Sequence, residues 1–280
     1  REIEKELNTG NVGENEDWIM EYWSEVANRK NKESLYWGFD KLDRITGGIK
    51  GGELTTIAAR PSVGKSAMVL QASMNFINQG AKVLYLPLEM TKTEIAERLY
   101  CSHTNIPHER LKTGELNETD LQEYQTYSNT LTKLKNDFVM LTRCRNIPQI
   151  KRAILRYEPD VLVVDQLSLL QGAKETQVRE QYTYYTRTLK TIAAEFNIAI
   201  LLVAQLRRSA ETTEPKLSDL KESGSIEENS DNVIMIHRFD AETEMDAFIG
   251  IDTEAVKPCE FIIGKQRNGP TGTVKLYFQK

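Results

Sequence analysis

Few cysteines, no long apolar run and no apolar leader set the first limits on this sequence. Its three cysteines, Cys101, Cys144 and Cys259, are far apart, odd in number and not near clustered histidines, so neither a disulfide framework nor a zinc site is indicated, and a reducing cytosol fits. No stretch approaches the roughly 18 apolar residues of a membrane helix, and the opening REIEKELNTG lacks the apolar centre of a secretion signal. A positive excess is missing too: 36 Lys and Arg against 41 Asp and Glu leave a formal charge of −5. That argues against a uniformly basic nucleic-acid coat, yet leaves room for a few cations concentrated along a channel. Internal repeats and low-complexity tracts are absent. The chain also lacks an initiating methionine and opens in mid-pattern, so a fragment whose N-terminal part was removed is expected.

What is present is enough apolar sequence, 40% of 280 residues, to bury a substantial core. Residues 1–34 are polar except for Trp18, Ile19, Tyr22, Trp23 and Val26, which recur at the spacing of one helical face. This segment is read as a linker with one amphipathic helix, which either packs on its own domain or docks on a neighbouring subunit. From residue 35 to 280, short β-branched runs alternate with helical stretches: LTTIAA, KVLYLPLE, DFVMLT, DVLVVD, IAILLVAQ, NVIMIHR, EFIIGK and TVKLYF. Such alternation predicts one α/β domain with a mainly parallel central sheet flanked by helices. The unbroken apolarity of DVLVVD and AILLVA means both faces of those strands are covered. The last two runs, separated by QRNGPTG with the turn formers Asn268, Gly269, Pro270 and Gly272, predict a C-terminal antiparallel hairpin.

The strongest motif is ARPSVGKS, directly after LTTIAA and directly before a helical pattern. A loop in that setting points successive N–H groups and a helix N-terminus at an anion, the physics of triphosphate binding in a P-loop NTPase. Ala59, Arg60, Pro61, Ser62, Val63, Gly64, Lys65 and Ser66, with Ala67 opening the helix, are therefore candidates for binding ATP. Lys65 would reach the β- and γ-phosphates and the Ser66 hydroxyl would ligate Mg2+. Ala59 stands where the usual pattern has glycine, whereas Gly64 is retained where the backbone approaches phosphate. Asp165, after the apolar strand of DVLVVDQLSLL, is the expected second metal ligand, directly or through water. Glu89, ending KVLYLPLE, suits polarisation of the attacking water; the competing role, capping the helix of TKTEIAERL, falls more naturally to Thr91. Gln205, ending IAILLVAQ, is placed to sense the γ-phosphate through a neutral amide.

These pieces, in this order, resemble the motor of DnaB-family replicative helicases. The resemblance runs from residue 35 to 280 through FDKLDRITGGIKGGELTTIAARPSVGKSA, LPLEM, LVVDQLSLL, LLVAQLRRS, PKLSDLKESGSIEENSDNVIMIHR and IIGKQRNGPTG. It implies a RecA-like fold and ATP-driven 5′ to 3′ translocation on single-stranded DNA as a hexameric ring. Primase and a helicase loader are implied partners, and the cytoplasm of a bacterial cell, with a bacterial or phage gene, the implied setting. It also implies that Lys265 and Arg267 act in trans as fingers in a neighbour's nucleotide site; from residue types alone they read as solvated charges at a hairpin end. SDLKESGSIEENSDN, too polar to be core, is implied to be a DNA-binding loop in which Lys221, Glu222 and Gly224 meet phosphates. The family has Arg where Lys221 stands, so the bidentate fork is lost there and a looser contact is expected. The loop QGAKETQVREQYTYYT, with Arg179, is a second candidate channel element, while Tyr182, Tyr184 and Tyr185 at helical spacing read as packing residues rather than base-stacking ones.

A different class shares much of this pattern, a RecA-like recombinase or other ATP-switched DNA-binding assembly protein. GKQRNGPTG and PKLSDLKESG separate the two, and closed rings against open filaments would tell them apart. A small-molecule kinase is weaker, lacking an Arg-rich lid or acceptor pocket. His103 and His108 receive no role, and His237, next to Arg238 after a strand, reads as a packing histidine.

Overall fold

All eight apolar runs form strands of one sheet in the computed structural model, which describes residues 34–207, 214–220, 223–238 and 256–279. Apart from Ser34, these lie in a single unit, Leu35–Lys280. The expected amphipathic face of Trp18, Ile19, Tyr22, Trp23 and Val26 lies outside the described residues, as do Lys221 and Glu222.

In chain order the elements are α1 (Asp40–Thr46), β1 (Leu54–Ala59), α2 (Lys65–Asn78), β2 (Val83–Pro87), α3 (Lys92–His103), α4 (His108–Thr113), α5 (Glu118–Lys133) and β3 (Phe138–Met140). There follow α6 (Ile147–Tyr157), β4 (Val161–Asp165), α7 (Val178–Phe196), β5 (Ala199–Gln205), α8 (Ser223–Asn229), β6 (Asn232–Arg238), β7 (Val256–Gln266) and β8 (Gly272–Gln279). The sheet order is β3-β2-β4-β5-β1-β6-β7-β8. Strands β1 to β6 run parallel, while β7 and β8 form the expected antiparallel hairpin. Leaving β1, the chain skips two positions to β2, then returns to fill the gap with β4 and β5. Such a reversal opens a crevice beyond the carboxyl ends of the strands, where α/β sheets bind ligands.

Two core clusters cover the two faces, and alternation along each strand feeds both. Ile57, Val163, Leu201 and Val203 meet Met68, Phe76 and Ile77 of α2 and Ile95 and Leu99 of α3. Ala58, Val164, Ile200 and Leu202 meet Ile150 and Ile154 of α6 and Tyr185, Leu189 and Ile192 of α7. This double cover is why β4 and β5 are apolar throughout. Helix starts follow local chemistry: Thr91 caps α3 in a reciprocal capping box with Glu94, and Asn146 caps α6 ahead of Pro148.

Some sequence expectations need correction. The segment read as the loop QGAKETQVREQYTYYT is helical from Val178 onward, because Tyr182, Tyr185 and Leu189 recur on one buried face. Tyr182 and Tyr185 are core residues and Tyr184 is partly exposed. The polar segment 218–232 is not wholly surface: among its described residues Leu220 and Ile226 are fully buried, and Ser225, Ser230 and Asp231 are buried as well. His237 lies inside β6 rather than after it, facing Glu260 of β7 at 3.6 Å.

Candidate active site

The carboxyl end of β1 runs directly into the phosphate-loop residues, and α2 begins at Lys65. Ser62 and Gly64 adopt positive φ, 61° and 113°. At Gly64 a side chain would be strained, and glycine is what lets the chain turn sharply enough to start the helix there. Lys65 is buried and its Nζ donates to the Arg60 carbonyl across the loop at 2.9 Å. Burial pushes its ammonium below the usual lysine range, against the opposing charges of Asp165 and Glu89. A cation held at such a cost is stabilised by a phosphate arriving above the loop.

Asp165 closes β4 and is 2% exposed. Burial raises its carboxyl above the ordinary range, opposed by hydrogen bonds from Ser66 and Tyr85 and by the charges of Lys65 and Arg98. Tyr85, fully buried in β2, donates its hydroxyl to Asp165 Oδ2 at 2.9 Å. Ser66 and Asp165 are thus already in contact, and both offer hard oxygen donors, the set that suits Mg2+ shared with phosphate oxygens.

Glu89 does not end a strand. Strand β2 stops at Pro87, which pairs with Asp165, and the Leu88 N–H donates to the Asp165 carbonyl at 2.7 Å, so Glu89 sits two residues beyond the sheet in an exposed turn. Arg145 donates to the Leu88 carbonyl at 3.2 Å and steadies that turn. Helix capping falls to Thr91, and Glu89 lies near enough for its charge to act on Lys65. Gln205 ends β5 directly opposite Ala59 and shares a crevice with Tyr182 of α7 and Ile226 of α8. All five central groups, Lys65, Ser66, Glu89, Asp165 and Gln205, therefore gather at one edge of the sheet.

Lys265 and Arg267 do not join them. Because β7 runs antiparallel, Lys265 lies opposite Val233 and Gln266 opposite Asn232, at the amino end of β6 and β1. Between them and their own phosphate loop stands β1, whose six residues at about 3.3 Å each span about 20 Å. An arginine side chain does not cross that distance. Arg267 is 68% exposed along its side chain. Among the expected DNA contacts, Arg179 and Gly224 are brought together, the guanidinium lying 3.8 Å from where a Cβ on Gly224 would stand.

Sequence reading missed Tyr85, Arg98 and Asp231. Tyr85 carries the signal of a core strand residue and nothing more. Arg98 reads as one more charge on a solvated helix, and Asp231 as one more polar residue in a polar segment.

Known proteins resemble this chain in sequence and in fold. The sequence model of the DnaB-like helicase C terminal domain matches residues 34–280. The replicative DNA helicase DnaB of Geobacillus stearothermophilus is 30% identical over 100% of this chain and 63% of its own length. A probable replicative DNA helicase of Trieres chinensis is 35% identical over 86% of this chain and 54% of its own. The chain thus spans less than two thirds of the curated relatives it matches. Among solved structures, an isolated ATPase domain superposes with a TM-score of 0.80 at 27% identity, covering 94% of this chain and 95% of that one. A DnaB-like replicative helicase, solved in a study of its interactions with primase, superposes with a TM-score of 0.75 at 27% identity, over 98% of this chain and 68% of that chain. The fold is that of the RecA-like ATPase domains of this group.

Proposed function

Because the chain belongs to the DnaB-like helicase C-terminal domain family, we propose that it is the ATP-hydrolysing motor of a replicative DNA helicase, moving on single-stranded DNA as a ring of identical subunits. Residues 35–280 form the motor and residues 1–34 the linker. The setting is the bacterial cytoplasm; among the described residues no helix is long and apolar enough to cross a membrane. Primase and a loader are the expected partners.

One observation carries the reading: the groups for binding and hydrolysis gather at one sheet edge, while the finger cations sit at the other. A second copy of the chain is needed to supply them. Within one subunit, the backbone N–H groups of residues 62–65 and the Lys65 ammonium hold the triphosphate. Ser66 and Asp165 would hold Mg2+, which neutralises charge on the β- and γ-phosphates when bound. Glu89 orients the attacking water from its exposed turn near Lys65. Arg267 and Lys265 of the neighbour meet the charge that spreads over the γ-phosphate oxygens. Gln205 senses whether that phosphate is present. Its neighbour Ile226 begins the path to the DNA side, where Arg179 and Gly224 grip the backbone without regard to base sequence.

The test is ATP turnover per subunit as protein concentration rises, with and without single-stranded DNA, for the parent and for Arg267→Ala. The composite motor requires turnover that rises with concentration and DNA, and its loss in Arg267→Ala with nucleotide binding retained. Turnover indifferent to concentration, DNA and Arg267 would sink it. Filaments rather than rings by negative-stain microscopy would favour the recombinase-like alternative.

A further inference from the structure

The finger residues are tethered before any neighbour is met. Lys265 Nζ donates to the Glu227 carbonyl at 2.6 Å and to the Glu228 carbonyl at 3.4 Å, in the last turn of α8, where helix carbonyls need outside partners. Arg267 is held twice by one residue: its N–H donates to the Asp231 carbonyl at 2.9 Å, and its Nη1 meets Asp231 Oδ1 at 3.2 Å.

Asp231 is only 4% exposed, and its carboxylate is shared. Oδ2 accepts from Lys190 Nζ of α7 at 2.7 Å and from the Leu54 N–H at the start of β1 at 2.8 Å. Its own N–H donates to the Leu54 carbonyl at 2.8 Å. One buried carboxylate therefore ties together the end of α8, the first residue of the central strand, α7 and the tip of the finger hairpin. The two cations differ in kind. Lys190 also donates to the Gly52 carbonyl at 2.7 Å and completes the anchor, whereas Arg267 reaches Asp231 while its side chain stays largely exposed.

The opposite end of α8 carries Gly224, beside Arg179. The helix is pinned to α7 by Asn229, which donates to Thr186 Oγ1 at 3.1 Å, and by the Thr186 hydroxyl, which donates to the Ser225 carbonyl at 3.4 Å. A seven-residue rigid element thus has the DNA-side contacts at one end and the finger anchor at the other.

We infer that Asp231 is a positioning residue that holds the Arg267 finger of a subunit, next to Lys265 on the last carbonyls of α8, in fixed relation to that helix. Displacement of α8 by DNA is thereby passed to the neighbour's nucleotide site. The inference rests on the trans-finger reading above.

The experiment is subunit mixing. Asp231→Asn alone lowers kcat by about tenfold to a hundredfold, the cost of a misplaced catalytic group, with KM for ATP unchanged because its own phosphate loop is intact. Adding Lys65→Ala chains, inactive in their own sites but bearing sound fingers, restores turnover to the Asp231→Asn sites beside them. A purely structural defect in β1 would raise KM and would not be rescued. Arg267→Ala mixed with Lys65→Ala is the reference: if that pair is rescued and the Asp231→Asn pair is not, the positioning role is wrong; if neither is rescued, the trans reading beneath it falls as well. Should Asp231→Asn leave Lys190 too poorly partnered to fold, Lys190→Met with Asp231→Asn removes both charges of the pair together, so that neither is left without the other. The same kcat loss and rescue are expected from that pair, and parent-like turnover would overturn the inference.

Discussion

Tyr85→Phe removes one buried oxygen atom and tests how the Asp165 carboxylate, the proposed metal ligand, is held. The ring is fully buried and packs edge-on against Phe138 at 6.0 Å between centroids, so phenylalanine fills the same space and leaves no cavity. What is lost is the hydroxyl bond to Asp165 Oδ2 at 2.9 Å. A hydrogen bond to a charged group is worth about 1.5–3 kcal/mol, and a urea titration at neutral pH should show a loss of that order. The functional effect follows from orientation: with the Tyr85 hydroxyl gone, Ser66 is the remaining hydroxyl on Asp165, and the carboxylate can rotate away from the proposed Mg2+ position. Outer partners of metal ligands typically contribute about 10- to 100-fold in metal affinity. The half-saturating Mg2+ concentration for ATP turnover should rise by about that factor, while kcat at saturating Mg2+ stays within a few-fold of the parent. An unchanged Mg2+ dependence alongside a lowered urea midpoint would refute the orienting role and leave Tyr85 as a packing residue.

Thiol labelling tests burial by chemistry. Burial pushes the Cys144 and Cys259 thiols up to about 11, so at pH 8 each carries about 100-fold less thiolate than a thiol of ordinary pKa near 9. Half-buried Cys101 should therefore react first with a thiol reagent at pH 8, and Cys144 and Cys259 only as the pH rises or the chain unfolds; equal rates at all three would contradict the core assignment. Gly51→Ala places a Cβ 2.5 Å from the Asn197 carbonyl, which is backbone and cannot swing away, so a loss of about 1–3 kcal/mol is expected in urea. Stability equal to the parent would mean that the turn before β1 yields freely. Asn146→Ala removes the cap that accepts from the Gln149 N–H at 3.0 Å and should cost about 1 kcal/mol without altering turnover; a catalytic defect would show that α6 communicates with Glu89 through Arg145.

The strands, the phosphate loop, Asp165 and the Thr91 cap were legible because each is a local pattern. A short unbroken apolar run, a glycine where the backbone must turn, and a threonine three residues ahead of a glutamate act within a few residues of chain. Where local patterns competed, the reading slipped. Apolarity carried KVLYLPLE two residues too far because it cannot see that Pro87 is the last residue paired with β4. Polarity hid the burial of Leu220 and Ile226, since two apolar residues among many polar ones carry little periodic signal.

The sequence by itself thus determined an α/β sheet covered on both faces, a phosphate-loop motif at the end of its central strand and membership of a helicase family. Only the tertiary structure decided which polar groups meet. Tyr85 and Asp165 are 80 residues apart, and Leu54 and Asp231 are 177 apart. Such pairs have no spacing to read, because strand order rather than chain distance brings them together. The same order set Lys265 and Arg267 at the edge away from their own phosphate loop, since an antiparallel return along β7 ends where the parallel strands begin.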